Sequence, residues 1–293
     1  MKFCVTVPAS TSNIGPGYDC LGMAVSLYAD FIFETADKFS VTGCPEEFQG
    51  MNNLVLQSYL KIFEKLGREP VPVRLCIRSD VPVARGLGSS STCIAGGLLA
   101  ANTVLGSPLS TDDLFQTAAQ IEGHPDNAAP AFFGGLTASF VQDGRSYAVP
   151  FSVEENWLFP AVIPNYEVVT HEARKVVRKD IRLSDAVHSV SHAIAMVRAL
   201  ETGNEALAGL ACHDLLHEPY RKALIAQFDE LKALAAAAGC AAFFISGSGS
   251  TMMAATRSRD AAQAFCDAAL KSHPEFSTRI LKPAHEGAHV IED

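Results

Sequence analysis

Apolar and polar residues alternate from residue 3 to residue 8, with Phe3, Val5 and Val7 on one side, and this period of two predicts a strand. A polar, glycine-rich stretch from Ser10 to Gly22 then reads as a loop, and residues 24–35 suit a second strand. Between 52 and 66 the spacing changes: Leu56, Tyr59, Leu60, Phe63 and Leu66 recur on one helical face, and Gly67 is a natural stop. Alternation returns at Val71, Val73, Leu75 and Ile77. A small, apolar helix is expected from about Ser90 to Leu105. A second, opened by Ser110 with Asp112 and Asp113 in its first turn, should run to about Glu122. Strands follow near 136–142 and 145–150.

The second half changes rhythm. A strand at 157–163 precedes helical stretches near 184–201, 204–211 and 220–238, the last closed by Gly239. A hairpin is expected at 241–256 around the turn SGSGS, then a helix at 259–271 and a strand at 278–281. The order strand–helix–strand–strand–helix–strand is that of a ferredoxin-like split. The predicted class is α+β in two units, with a boundary near 150–155 that divides the chain into 1–152 and 153–293.

Composition narrows the function classes. The chain has 293 residues, 48% hydrophobic and 19% charged, so it can bury a full core. Its formal net charge is −9, with no basic stripe, which disfavours grip on nucleic acid through phosphates. The N-terminus lacks the long apolar run of a secretory signal, and no stretch is long enough to span a bilayer. The eight cysteines are scattered with no C-x-x-C pair, and read as reduced thiols of a cytoplasmic protein. His188 and His192, like His213 and His217, lie four apart on predicted helices but lack a metal-site pattern, and read as surface or core pairs.

The segment Pro82–Thr92, PVARGLGSSST, carries the most chemistry. Gly86 and Gly88 let the backbone turn sharply and approach a ligand closely. Ser89, Ser90 and Ser91 offer three consecutive hydroxyls. The helix behind them presents free N–H groups and the positive end of its dipole, so a triphosphate can be held without a basic surface. A P-loop would need a lysine that is missing here, and a Rossmann fingerprint would need glycine where Ser91 stands.

PVARGLGSSS resembles the phosphate-binding motif of the GHMP kinases. Ser12–Gly22 (SNIGPGYDCLG) is similar to the N-terminal motif of that family, and Ile245–Thr251 (ISGSGST) to its C-terminal glycine motif, with Ser250 in the usual place of a proline. Glu122–Gly135 (EGHPDNAAPAFFGG) and His217–Arg221 (HEPYR) resemble the branch of the family that acts on L-homoserine. The resemblance implies an N-terminal domain like that of ribosomal protein S5 and a ferredoxin-like C-terminal domain, ATP and Mg²⁺ as cofactors, and a homodimer. The implied reaction is phosphorylation of the L-homoserine side-chain hydroxyl, which leads to threonine. It also implies nucleotide contacts along Pro82, Val83, Ala84, Arg85, Gly86, Leu87, Gly88, Ser89, Ser90, Ser91 and Thr92, adenine contacts near Asn53, and Mg²⁺ on Ser89 and Glu122.

Homoserine carries an ammonium, a carboxylate and the reacting hydroxyl, so its pocket needs an anion, guanidinium groups and neutral hydrogen-bonding groups. Asp19 suits the ammonium, Arg174 and Arg221 the carboxylate, and Asn13 and Asn127 the polar ends. His124 and Gly247 are expected to shape the site, and Asp126 with Asn127 to orient the attacking hydroxyl. A threonine or mevalonate kinase of the same family is the first alternative, and a non-catalytic ATP sensor the second.

Overall fold

The computed structural model describes residues 1–292. In chain order the first half comprises β1 (Lys2–Asn13), β2 (Gly17–Thr35), β3 (Ser40–Thr42), α1 (Leu54–Leu66), β4 (Val73–Ser79), α2 (Ser89–Val104), α3 (Thr111–Glu122), α4 (Ala128–Phe133), β5 (Leu136–Gln142) and β6 (Arg145–Phe151). The second half comprises β7 (Phe159–Ile163), α5 (Thr170–Lys175), α6 (Leu183–Thr202), α7 (Glu205–Ala211), α8 (Glu218–Arg221), α9 (Phe228–Ala237), β8 (Ala242–Ile245), β9 (Met252–Ala255), α10 (Arg259–Ser272), β10 (Ser277–Leu281) and β11 (His289–Glu292).

Two sheets organise these elements. The first has seven strands in the order β11-β1-β2-β4-β3, with β5 and β6 continuing from β2. β2 is long enough to serve two neighbours: residues 21–23 pair with β5 and residues 29–35 with β4. The second sheet runs β10-β7-β9-β8, and every pairing in it is antiparallel. With β7, β8, β9 and β10 as its first to fourth strands, that order is the ferredoxin-like one expected from the sequence. The final strand leaves the second unit and pairs with β1, register Phe3↔Glu292 to Thr6↔His289. The cut at 152/153 therefore has an exception at the chain's end.

One apolar core runs through the first sheet and its helices and continues into the second half through Trp157, Phe159 and Phe244. A smaller core under the second sheet gathers Phe228, Phe243 and Phe265. No cysteine among the described residues is in a disulfide, and Cys212 and Cys266 are buried.

Three local readings differ from the sequence pattern. The polar stretch 10–22 is ladder rather than loop, because β1 and β2 continue through it with register shifts at Pro8/Ala9 and Ser12/Asn13. Its hydroxyls are buried because each meets a polar partner from another segment: Ser10 and Ser12 bond Asn127, and Thr11 bonds Ser246. The helix expected over 220–238 is broken. α8 opens with Pro219 in its first turn, and Ile225 adopts an extended backbone as its side chain enters the second core. Finally, α5 carried no sequence signal, being six residues with a single buried one, Ala173.

Candidate active site

A cavity of about 470 Å³ opens where the two halves meet. It collects residues from six chain segments that sequence reasoning had singled out: Asn13 and Asp19, the loop 83–90, Glu122 to Asn127, Arg174, Arg221, and Gly247.

At one end lies the N-terminus of α2. Gly88 caps it in the left-handed region (φ +68°), and a Cβ there would sit 2.1 Å from Ser10 Oγ. Gly86 is also left-handed (φ +75°), and its Cβ would lie 2.2 Å from the Ser246 carbonyl oxygen. Only glycine fits either place. The first helical turn uses one of its four N–H groups: Thr92 donates to Gly88, while the amides of Ser89, Ser90 and Ser91 have no acceptor among the described residues. Gly88, Ser89 and Ser90 line the cavity, so unpartnered donors and the positive end of a 16-residue helix face it.

Several residues of the Pro82–Thr92 run hold the loop instead of facing the cavity. Leu87 is fully buried, Thr92 Oγ1 donates to the Ser89 carbonyl, and Pro82 is absent from the lining, while the Ser91 hydroxyl is buried without a partner among the described residues and only its amide is left to serve the helix terminus. Arg85 lines the cavity but its guanidinium is committed elsewhere. It donates to the carbonyls of Pro164, Val83 and Asn165 and pairs with Glu167 at 3.2 Å. It thus straps the loop to the second half. Asn53 is a helix cap: Oδ1 accepts from the Val55 and Leu56 amides and Nδ2 donates to the Phe48 carbonyl. Its Nδ2 also lies 3.9 Å from Cys44 Sγ, and Asn53 lines the cavity. Around it, Phe31, Phe48, Leu54, Ile77, Val81 and Cys93 make that end of the cavity apolar.

Beside the helix terminus, Glu122 Oε1 accepts from Ser90 Oγ at 2.5 Å, and Oε2 is buried without a partner in hydrogen-bonding geometry. The hydroxyl bonded to Glu122 is thus that of Ser90, while Ser89, the serine expected to share a metal with Glu122, lines the same cavity. Burial raises the Glu122 pKa above the usual carboxylate range, against the Ser90 bond and the nearby His124, which lower it. A buried, unpaired acceptor next to a hydroxyl is a donor set suited to a hard divalent cation.

His124 Nδ1 lies 2.7 Å from Asp126 Oδ1, which also accepts from the Asn127 amide at 3.0 Å. Burial lowers the His124 pKa, but the bond to Asp126 and the charges of Asp126 and Glu122 outweigh it and hold the imidazole above its ordinary value. Asp126 Oδ2 has no protein partner among the described residues, and Asp126 lines the cavity. Asn127 is more occupied than expected. It accepts from Ser10 Oγ at 2.9 Å and donates to Ser12 Oγ at 2.9 Å, pinning this loop to β1.

At the other end of the cavity, Asp19 and Arg174 form a two-pronged ion pair with N–O distances of 2.8 and 2.9 Å. Each expected substrate-binding charge thus faces the other in this state. Arg221 is buried. Its Nε donates to the Ala173 carbonyl and Nη1 to the Gly247 carbonyl, and its plane lies 4.9 Å from the Tyr18 ring centre. Nη2 has no partner among the described residues. Burial lowers the Arg221 pKa, while Tyr18 and Asp19 oppose the shift. Asn13 donates to the Gly247 carbonyl and accepts from the Asp19 amide, so one side chain sets both loops.

Sequence reasoning missed Ser10, Ser12, Ser246 and Tyr18. Ser246 Oγ donates to the Gly86 carbonyl at 2.6 Å and is hydrogen-bonded to Thr11 Oγ1 at 2.8 Å, latching the C-terminal glycine loop onto the phosphate-loop candidate. A run of buried hydroxyls in an apolar strand was the signal available for the first two.

Comparisons with known proteins fit this geometry. The family model for the GHMP kinase N-terminal domain matches residues 53–135, and that for the GHMP kinase C-terminal domain matches residues 196–275. A homoserine kinase of Clostridium beijerinckii is 42% identical over 258 residues, 87% of each chain. The crystal structure of a homoserine kinase from Cytophaga hutchinsonii superposes with a TM-score of 0.89 at 30% identity, covering 99% of this chain and 97% of that one. A mevalonate kinase structure from Methanococcus jannaschii, 13% identical, shares the fold with a TM-score of 0.74 over 96% and 98% of the two chains.

Proposed function

The chain belongs to the GHMP kinases, and from that premise we infer that it transfers the γ-phosphoryl group of ATP to the side-chain hydroxyl of L-homoserine. The observation that carries this reading is the division of one cavity into two ends. Unpartnered helix amides and an apolar recess occupy one end, and a carboxylate with two guanidinium groups occupies the other. The first end suits a triphosphate and a purine. The second suits a zwitterion, and a sugar or mevalonate would leave at least one of its charges unanswered.

The chain's own groups divide the work. The amides of Ser89–Ser91 and the α2 dipole hold phosphate oxygens. Glu122 Oε2 and the Ser90 hydroxyl are the residues that would hold magnesium, which supplies charge neutralisation across the β- and γ-phosphates when bound. Asp19 takes the ammonium, and Arg174 and Arg221 Nη2 take the carboxylate; for this the Asp19–Arg174 pair opens and each member exchanges its partner for a substrate group of the same charge. Asp126 Oδ2 accepts the bond from the attacking hydroxyl, with Asp126 itself fixed through Oδ1 by His124 and the Asn127 amide. The new bond joins that hydroxyl oxygen to the γ-phosphorus, the bond to the β–γ bridging oxygen breaks and ADP leaves, and the hydroxyl proton passes late, along its hydrogen bond to Asp126 Oδ2. Because the transition state is loose, positioning and charge neutralisation carry the rate. The raised pKa of His124, from its bond to Asp126 and the charges of Asp126 and Glu122, favours its cationic form beside these groups.

We place the protein in the cytoplasm as a homodimer. No helix among the described residues is long and apolar enough to cross a membrane. The outer face of α6 shows Leu183, Val187, Val190 and Ile194 at helical spacing, each more than 60% exposed, an unusual cost for a face left in water.

The test is ADP release with a panel of homoserine, threonine, mevalonate and galactose at fixed Mg·ATP. Homoserine should give the highest kcat/KM. A rate with homoserine no higher than background hydrolysis would overturn the substrate assignment.

A further inference from the structure

We propose that His217, a buried residue outside the cavity lining, is a positioning residue that sets the affinity of the amino-acid end of the site. The proposal rests on the reading above, in which residues 13–19 and Arg221 bind the zwitterion.

Residues Asn13, Ile14 and Gly15 all have left-handed backbones, with φ of +72°, +43° and +69°. Three such residues in succession, two of them not glycine, persist only where neighbours hold them. From outside the turn, the Gly15 carbonyl is held by His217. Its Nε2–H donates at 2.9 Å from a fully buried ring, and a burial-lowered pKa near 4 keeps the imidazole neutral with that hydrogen in place. Asp214 fixes His217 in turn, accepting from the amides of Leu216, His217 and Glu218.

From this one ring, two routes reach the substrate groups. The first is through the turn: Gly15 holds Asn13, and Asn13 Oδ1 accepts from the amide of Asp19, itself left-handed at φ +55°. The second is through stacking. The His217 ring packs on Tyr18 at 5.2 Å between centroids, and Tyr18 lies against the guanidinium of Arg221. Tyr18 fixes the plane of Arg221, two carbonyls fix two of its nitrogens, and Nη2 is left with one direction of approach. His217 thus aligns the groups for both the ammonium and the carboxylate while touching neither. Its own Nδ1 is buried without a partner, a cost that packing alone does not require.

Two substitutions separate the donor from the stack. His217→Phe keeps the ring against Tyr18 and removes the donor. His217→Gln keeps a flat group and places an amide N–H near the position of Nε2. For purified protein, KM for homoserine should rise at least tenfold in His217→Phe, while KM for ATP changes less than twofold. His217→Gln should recover most of the homoserine affinity. Thermal unfolding and Mg·ADP binding of both variants report on folding. If wild-type protein releases no ADP in response to homoserine, the substrate reading fails and this proposal with it. If wild type responds and His217→Phe keeps the wild-type KM, the proposal alone fails. Equal rises in both KM values, or no recovery in a folded His217→Gln, would show a general structural role and overturn it as well.

Discussion

Replacing Gly86 with alanine isolates the phosphate loop, because one methyl group enters a place whose geometry is known. The added Cβ would stand 2.2 Å from the Ser246 carbonyl oxygen and 2.9 Å from that of Gly249. An ordinary carbon–oxygen contact is about 3.3 Å, so the loop or its neighbour must retreat by roughly 1 Å. Both partners are backbone, and the Gly86 carbonyl is itself held by Ser246 Oγ at 2.6 Å, so no side chain can swing aside. Alanine at φ +75° adds a left-handed penalty of about 1–2 kcal/mol. A displacement of that size at a reacting centre costs on the order of a hundredfold in rate, and the loss should appear in kcat/KM for ATP. The assay is initial-rate ADP release over an ATP titration at saturating homoserine, beside thermal unfolding of the same sample. A folded Gly86→Ala protein within threefold of wild-type kcat/KM would refute the view that this loop seats the triphosphate.

Other perturbations give different signatures. Glu122→Gln should lower kcat by about a hundredfold and raise the magnesium requirement, yet leave thermal stability equal or higher, since it removes a buried carboxylate with an unpaired oxygen; Mg²⁺ titrations and calorimetry read the two effects. Asp19→Asn should raise KM for homoserine about tenfold or more with little change for ATP, because both the ammonium partner and the hold on Arg174 are lost. The fully buried Glu218 has its pKa pushed up to about 7 by burial, against the bond from the Ile245 amide. The folded protein therefore keeps a proton between 4.5 and about 7 that the unfolded chain has released, and this contribution is lost as pH rises through 7. Glu218→Gln should flatten the fall in Tm between pH 4.5 and pH 7, and an unchanged fall would assign that loss to other groups.

The parts of the fold legible in sequence were those with a period. α1, α3 and α10 carry amphipathic spacing and recognisable caps at Asn53, Ser110 and Ser258, and β5 to β7 alternate or run apolar. The continuation of β1 and β2 through 10–22 was not legible. Polar composition normally marks a loop, and here the buried hydroxyls are satisfied by Asn127 and Ser246, more than a hundred residues away. The same limit applied to the site. The phosphate-loop candidate could be read because local rules govern glycines before a helix. The capture of Arg85 by 164–167, the capping role of Asn53 and the preference of Glu122 for Ser90 depend on where distant segments arrive. Tyr18 and His217 gave no signal beyond membership in polar strings, since their value lies in a stack formed between loops 199 residues apart (217 − 18).

Amide resonances test the central claim most directly. In protein labelled with ¹⁵N-serine, a titration with magnesium and a non-hydrolysable ATP analogue should shift the Ser89, Ser90 and Ser91 amides strongly, as donors without acceptors acquire phosphate oxygens. Binding of the analogue with those three resonances unmoved, and shifts elsewhere instead, would contradict it.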